Sequence, residues 1–221
     1  MKHPIRIMVP AAALLAGGVL TGCGEVEPLP EVTPHARPSG APEAAGTEAA
    51  APGAEDAPAA TGAALGGPGT ACRLPVSFTL AKEWKPVAIE DPENPEFAVL
   101  TRQGPATVRC EVDAKPAGHV GYLRVWTAGK GPARAALEGF VKAEKGTSAV
   151  SYRETKAGAL PATEVTYTVH NEVMDETKEE RALAVATPEG AVILHLGGLD
   201  TEEHRAMLPA YELARTTLKL G

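Results

Sequence analysis

The first 70 residues of this 221-residue chain contain no aromatic side chain, although the remainder contains three Phe, four Tyr and two Trp. Within residues 24–70 the aliphatic residues larger than Ala are only Val26, Leu29, Val32 and Leu65, while Ala and Pro are abundant. Such a segment cannot bury a core, and frequent Pro interrupts any long helix. We therefore predict a disordered Ala/Pro/Gly/Glu-rich tether over residues 23–70 and one globular domain over residues 71–221.

The N-terminus lacks an apolar run long enough to remain as a membrane-spanning helix, which needs about 20 residues. Residues 7–19 are apolar but contain Pro10, and they follow the basic residues Lys2 and Arg6. A short apolar core after a basic head is typical of a secretory signal peptide. We expect residues 1–22 to be that signal peptide.

The apolar run closes with Leu20-Thr21-Gly22-Cys23. This segment resembles a bacterial lipobox, in which cleavage precedes a Cys that carries a diacylglyceryl group. The resemblance implies lipidation of Cys23 and attachment to the outer, extracytoplasmic face of the cell membrane. Two acyl chains, such as palmitate, anchor a protein stably where one does so only marginally. The alternative is a secreted protein in which Cys23 is an unmodified thiol.

Cysteine is scarce, with three residues in the whole chain. If lipid occupies Cys23, then Cys72 and Cys110 remain as an even pair in an exported protein, and we predict a disulfide between them. A redox-active pair is the alternative, but such pairs typically have Cys-x-x-Cys spacing.

The chain has no excess of basic residues. Its formal net charge is −7, and seven acids against Arg37 concentrate the negative charge in residues 23–70. A mildly acidic domain without a basic stripe argues against nucleic acid as a partner.

Alternation of apolar and polar residues predicts strands in the domain. Residues 76–80 are expected to form the first strand, and a hairpin is expected around Gln103-Gly104-Pro105 from residues 97–101 and 107–112. In the second arm of this hairpin, Val108, Cys110 and Val112 are expected to share a face. Further strands are predicted at residues 120–126, 148–155, 162–171, 181–187 and 191–196.

Two helices are predicted from apolar residues at helical spacing. The first follows Pro132 and has Leu137, Phe140 and Val141 on its apolar face. The second begins at Asp200 or Thr201, and Pro209 is expected to kink or break it near Leu208.

Grouped strands with two principal helices predict an α+β fold, a mostly antiparallel sheet of about six to eight strands packed with helices. The opening Phe78-Thr79-Leu80, then Trp84, and the closing Ala210-Tyr211-Glu212-Leu213-Ala214 resemble the Mog/PsbP-like fold of actinobacterial LpqN-type lipoproteins. The resemblance covers most of residues 72–221. It implies a binding or accessory role, without a shared set of catalytic residues.

Motifs for catalysis or metal binding are absent from the sequence. The histidines lack zinc-site spacing, the acidic segment of residues 90–96 lacks the Gly-centred turn of an EF-hand loop, and no nucleophile elbow or P-loop occurs. His195 is out of phase with the apolar residues of its strand and is interpreted as a sheet histidine. We therefore predict no metal ion, no cofactor and no catalytic residue.

One candidate binding surface stands out, formed by Tyr122, Arg124 and Trp126. If Leu123 and Val125 face the helices, these three side chains line the other face of the sheet. Tyr, Arg and Trp are enriched at binding hot spots. The alternative is that the second helix or a loop covers this face and the aromatic residues belong to the core.

The sequence thus predicts a non-catalytic binding or accessory module in the cell envelope, attached through lipidated Cys23 and acting on an unknown envelope protein. A first alternative is a carrier of lipid or another apolar ligand, which requires a large apolar pocket between helices and sheet. A second is an envelope hydrolase, which requires clustered titratable residues with shifted pKa values in a cleft.

Overall fold

The computed structural model describes residues 57–221, so the predicted signal peptide, Cys23 and most of the predicted tether lie outside the described residues. The described residues form eleven strands, three α-helices and two 3₁₀ helices. The strands are β1 (Thr61–Leu65), β2 (Val76–Ala81), β3 (Lys85–Ala88), β4 (Arg102–Gln103), β5 (Ala106–Asp113), β6 (Gly121–Ala128), β7 (Thr147–Ala157), β8 (Leu160–Asn171), β9 (Glu176–Thr187), β10 (Gly190–Gly198) and β11 (Lys219–Leu220). The α-helices are α1 (Ala133–Lys142), α2 (Thr201–Ala206) and α3 (Leu208–Thr217), and the 3₁₀ helices are Pro95–Thr101 and Lys115–Ala117.

The strands form two antiparallel sheets. The larger, eight-stranded sheet has the order β3-β5-β6-β10-β9-β8-β7, with β4 also paired to β5. A smaller sheet has the order β1-β2-β11. The predicted α+β class, with a mostly antiparallel sheet and helices packed on it, is confirmed.

Each face of the large sheet carries its own core. On what we call the α3 face, Leu123 and Leu183 pack in one cluster with Phe78 of the small sheet and Tyr211 of α3. On what we call the α1 face, large-sheet residues such as Ile193 pack in a second cluster with Leu137 and Phe140 of α1. The large sheet is therefore covered on both sides, and its central strand β10 is accordingly buried along its whole length.

The predicted helices are present, and the second one breaks as expected. Asp200 is the N-cap of α2, and its Oδ1 accepts a hydrogen bond from the Glu203 N–H at 2.8 Å. α2 ends before Met207, and α3 begins at Leu208 with Pro209 in its first turn. Pro lacks an N–H, so it fits the start of a helix better than the middle of one.

The folded region begins before residue 71, the boundary that composition indicated. Strand β1 precedes the expected first strand and pairs with β2, with Leu65 opposite Phe78. The Leu65 side chain is completely buried. A Cβ on Gly62 would lie 2.7 Å from the Ala81 carbonyl oxygen, so β1 approaches β2 this closely only because residue 62 is glycine. The same glycine contributed to the composition from which a tether was predicted.

The predicted strand over residues 97–101 is wrong. The segment Pro95–Thr101 is a 3₁₀ helix, and the Oδ1 of its N-cap Asn94 accepts a hydrogen bond from the Glu96 N–H at 3.0 Å. Pro95 adds a fixed φ that suits a helical start. The strand that pairs with this side of β5 is the short β4, which lies after the predicted arm.

A β-bulge changes the prediction for β5. Val108 lies opposite Trp126 and Cys110 opposite Val125, although Trp126 and Val125 are adjacent on β6 and point to opposite faces. Val108 therefore packs in the α1-face core, while Cys110 and Val112 pack in the α3-face core. The prediction that these three residues share a face is wrong for Val108, because the bulge shifts the register between Val108 and Cys110.

The predicted disulfide is present. Cys72 and Cys110 are bonded, with their Cα atoms 5.9 Å apart, and both residues are buried. Cys72 lies between β1 and β2, whereas Cys110 lies on β5. The disulfide therefore joins the chain of the small sheet covalently to the large sheet.

Candidate functional site

The three residues of the predicted binding surface alternate along β6 on the α1 face, but α1 covers only part of that face. Trp126 is 5% exposed, and its ring packs edge-on against Phe140 of α1 with 5.2 Å between ring centroids. Trp126 is therefore a core residue, and it does not contribute to an exposed surface. The covering element is the first helix, not the second helix or loop considered above.

Tyr122 and Arg124 are only partly buried. The Arg124 guanidinium lies over the Tyr122 ring, with 3.8 Å between Cζ and the ring centroid. Arg124 Nη2 also lies 2.7 Å from Glu111 Oε2 on β5. Cation–π stacking and the ion pair both restrict the Arg124 side chain, so the pair presents an ordered surface.

A cleft of about 250 Å³ opens beside Tyr122, where β6 begins and β10 ends. Val120 and Leu199 in its lining are 43% and 52% exposed. The lining also contains the charged residues Glu111, Asp113 and Lys115. This end of the sheet therefore offers apolar contact together with charges of both signs.

A buried ion-pair network lies behind Tyr122, and we call its members Lys178, Glu180 and His195 the Glu180 network. His195 Nε2 is 2.9 Å from Glu180 Oε2, and Lys178 Nζ is 2.8 Å from Glu180 Oε1. Lys178 also donates a hydrogen bond to the Gly198 carbonyl at 2.8 Å. The Tyr122 ring meets the His195 ring edge-on, with 6.1 Å between centroids. The network therefore supports the Tyr122 side chain from within the sheet.

The Glu180 carboxyl is ionised in this environment. Burial alone raises its pKa, but the hydrogen bond and charge of His195, with the Lys178 ammonium, outweigh burial and lower the pKa below its usual value. Burial likewise lowers the pKa of Lys178, yet the Glu180 charge and hydrogen bond raise it overall. The Lys178–Glu180 ion pair is therefore present at neutral pH.

Tyr167 of β8 connects the network to the end of α1. Its hydroxyl donates a hydrogen bond to Glu144 Oε2 at 2.9 Å and lies 3.3 Å from His195 Nε2. Burial, followed by the nearby carboxylates of Glu144 and Glu180, raises the pKa of Tyr167 above its usual range. The hydroxyl therefore stays protonated and remains a donor.

Titratable groups with shifted pKa values thus cluster under the α1 face, as the hydrolase alternative required. However, His195 is 3% and Glu180 2% exposed, so these two side chains do not line an open cleft. His195 Nδ1 is buried without a hydrogen-bond partner among the described residues. The arrangement can hold the strands beneath Tyr122 and Arg124 in fixed register, since the two oxygens of Glu180 contact different partners, Lys178 and His195.

Sequence reasoning identified His195 only as a sheet histidine and missed its partners. Lys178 and Glu180 occupy alternate positions in the charged first half of β9, so they share one face of the strand. Two opposite charges on one face of β9, followed in the chain by an apolar strand with a single His, were the sequence signal for this network. Their convergence depends on the pairing of β9 with β10, which local patterns do not specify.

The carrier alternative required an apolar pocket between helices and sheet. The structure contains an apolar cleft of about 350 Å³ elsewhere, on the outer side of α3. Its walls come from the segment that precedes β1 and from α3 residues including Leu208 and Leu213. This cleft lies between residues 57–59 and α3, whereas the carrier alternative requires a pocket between helices and sheet.

No group of three or more His, Cys, Asp or Glu side chains within residues 57–221 is placed to hold a metal ion.

Fold and site together define a disulfide-bonded α+β domain of the type found in exported proteins, with an ordered Tyr–Arg pair on a buried ionic support. The chain belongs to the family Lipoprotein_23, described as an uncharacterised lipoprotein, whose sequence pattern matches residues 42–218. A search of curated proteins found no match. The family agrees with an envelope lipoprotein. Within the described residues, no helix is both long and apolar enough to cross a bilayer.

Proposed function

We propose that this protein is a lipid-anchored envelope protein whose domain is a non-catalytic binding module for another envelope protein. In this proposal Cys23 carries the lipid at the outer face of the cell membrane, and the chain that follows it gives the domain reach. The resemblance of the domain to LpqN-type lipoproteins supports a binding or accessory role.

The observation that carries the proposal is the partly exposed Tyr122–Arg124 pair. Tyr and Arg are over-represented at hot spots, where truncation of a single side chain often costs about 2 kcal/mol or more of binding free energy. Here both side chains are already ordered in the unbound domain, by stacking on each other and by the Glu111 ion pair. A partner therefore loses little binding free energy to ordering them.

The surroundings of the pair indicate the chemistry of the partner. Val120 and Leu199 add exposed apolar surface beside Tyr122, and Glu111, Asp113 and Lys115 lie in the same cleft wall. Interfaces combine an apolar centre with a polar rim of complementary charge. We therefore expect the partner to present an apolar patch bordered by charged residues.

The test is chemical crosslinking in intact cells, followed by purification of the full-length lipoprotein and mass spectrometry of the attached proteins and extracted lipids. Arg124→Glu should remove at least one partner that the unchanged protein captures. Arg134→Glu is the matched control, because Arg134 stacks on the Tyr152 ring at 4.4 Å and forms an exposed ion pair with Glu138 at 2.6 Å. Thermal unfolding of both variants checks that they fold.

Identical crosslinked proteins with Arg124→Glu and with Arg134→Glu would contradict a role for the Tyr122–Arg124 pair. Recovery of one non-covalent lipid per protein molecule would favour the carrier alternative instead.

A further inference from the structure

A polar cavity of about 300 Å³ lies on the α3 face, on the side of the sheet opposite to the Tyr122–Arg124 pair. Strands β8 and β9 form its floor, and α2 and the start of β7 contribute to its walls. Side chains of the α3 face and α2 that line it are Thr166, Thr168, Glu179, Arg181 and His204. Its volume is at the lower end of the range for small-molecule sites.

Arg181 is the least satisfied charged group at this cavity. Its side chain is 24% exposed, and its Nε is buried without a hydrogen-bond partner among the described residues. The nearest carboxylate oxygen, Glu212 Oε1, is 3.9 Å from Nη1, which is too long for a hydrogen bond. The Tyr211 ring centroid is 5.9 Å from Cζ. A guanidinium has five N–H donors, so this one retains unused capacity.

Of the acidic groups near Arg181, Glu180 is bound by Lys178 and His195, and the others are each bound by another arginine. Glu212 Oε2 accepts a hydrogen bond from Arg215 Nε at 2.8 Å. Glu179 is paired with Arg205.

A third carboxylate in this region, that of Glu164, is paired with Arg153 and also accepts a hydrogen bond from the Tyr211 hydroxyl at 2.8 Å. Each of the three glutamates thus has an arginine partner other than Arg181. The positive charge of Arg181 is therefore the one that these carboxylates neutralise least.

A second unpartnered group adjoins the same cavity. His204 of α2 is 2% exposed, and its Nδ1 is buried without a hydrogen-bond partner in the described part of the chain. Burial lowers the pKa of His204 to about 4, so the ring is neutral at pH 7. Two buried polar atoms without a hydrogen bond at one cavity are unusual, since most such atoms are hydrogen-bonded.

We propose that this cavity binds the oxyanion group, carboxylate or phosphate, of a small ligand, with Arg181 as its cationic anchor. Arg guanidinium pairs with both groups through parallel N–H···O hydrogen bonds. The hydroxyl of Thr166, in the same lining, is an additional donor of suitable type. This site is separate from the proposed partner surface, and the two proposals can fail independently.

The test is isothermal titration calorimetry of the full-length protein in detergent micelles with two probes, inorganic phosphate and acetate. Sodium chloride keeps the ionic strength constant in every titration, which removes non-specific screening effects. Binding of one equivalent of phosphate alone identifies a phosphate group, and binding of acetate identifies a carboxylate. Arg181→Gln should weaken the binding about tenfold or more, because it removes charge-assisted hydrogen bonds.

A second pair of variants keeps Arg181 and so decides the question if Arg181→Gln does not fold. Ala149 lines the cavity with a φ of 49°, a conformation that Asn and Asp tolerate better than most residues. Ala149→Asp adds a carboxylate to the lining and should weaken anion binding, whereas the uncharged Ala149→Asn should retain it. The proposal is overturned if neither probe binds the unchanged protein, or if Ala149→Asp binds as tightly as Ala149→Asn.

Discussion

Gly197 of β10 lies directly opposite Tyr122 of β6, and the Tyr122 ring occupies the space that a side chain at residue 197 would need. A Cβ on Gly197 would lie 2.6 Å from both Cζ and Oη of Tyr122. Real Cβ atoms essentially never make such short contacts. The Tyr122 ring therefore keeps its place beneath Arg124 only while residue 197 is glycine.

Gly197→Ala is expected to displace the Tyr122 ring and to destabilise the domain by about 1–3 kcal/mol, the usual cost of overpacking. Urea unfolding measures the stability, and the crosslinking assay measures partner capture, which should fall as well. Gly129→Ala is the control, because a Cβ there meets no atom within 4 Å. Equal stability of the two variants would mean that the ring can move aside freely.

Loss of the disulfide should destabilise the domain by about 2–4 kcal/mol, mainly because the unfolded chain gains freedom. Urea unfolding with and without a thiol reductant measures this, and the double variant Cys72→Ala/Cys110→Ala should match the reduced protein. A thioether-linked lipid on Cys23 is not reducible, so the reductant leaves the predicted anchor intact. An unchanged midpoint after verified reduction of Cys72–Cys110 would contradict the expectation.

Leu65→Ala tests whether the folded region begins before residue 71. Leu65 is completely buried in the α3-face core, so its truncation should cost about 2–5 kcal/mol. Val99→Ala serves as the control, since Val99 is 73% exposed and should change stability by no more than about 0.5 kcal/mol. Similar unfolding midpoints for both variants would place Leu65 outside the cooperative fold.

His204 should make the domain less stable in mild acid. Burial, with a contribution from the Arg181 charge, lowers its pKa to about 4 in the folded state, against about 6.5 in the unfolded chain, while Glu180 and Glu179 oppose this shift. The unfolded chain therefore binds a proton that the folded chain does not, so stability is full above pH 6.5 and falls as the pH drops towards 4.

The expected loss from His204 is about 2 kcal/mol between pH 7 and pH 5. Urea unfolding at both pH values measures it, and His204→Gln should reduce the difference. His170→Gln is the control, because the His170 side chain is 41% exposed. If both variants keep the full pH dependence, another group causes it.

Local sequence rules were sufficient where one residue determines the local geometry. Asp200 as an N-cap and Pro209 as a helix break follow from hydrogen-bonding capacity and ring sterics alone. The disulfide followed from cysteine number and compartment. Alternation predicted the long strands β8 and β10 because one or both of their faces are buried along most of their length.

The same rules failed where tertiary contacts decide. Strand β1 is rich in Ala and Gly, and only its pairing with β2 distinguishes it from a tether. The bulge that separates Val108 from Cys110 depends on the register with β6. Arg181 and His204 lie on different elements, so their common cavity is visible only after β9 and α2 pack together.

The position of Cys72 between β1 and β2 has a mechanical consequence. Tension that enters the domain from its N-terminal side first loads the backbone hydrogen bonds that join β1 to β2. If β1 peels away, the covalent link from Cys72 to Cys110 transfers the load to β5 in the large sheet. Strand β6, which carries Tyr122 and Arg124, is hydrogen-bonded to β5 and stays in place. The disulfide therefore gives tension from the N-terminal side a covalent path to β5 that does not depend on the hydrogen bonds between β1 and β2.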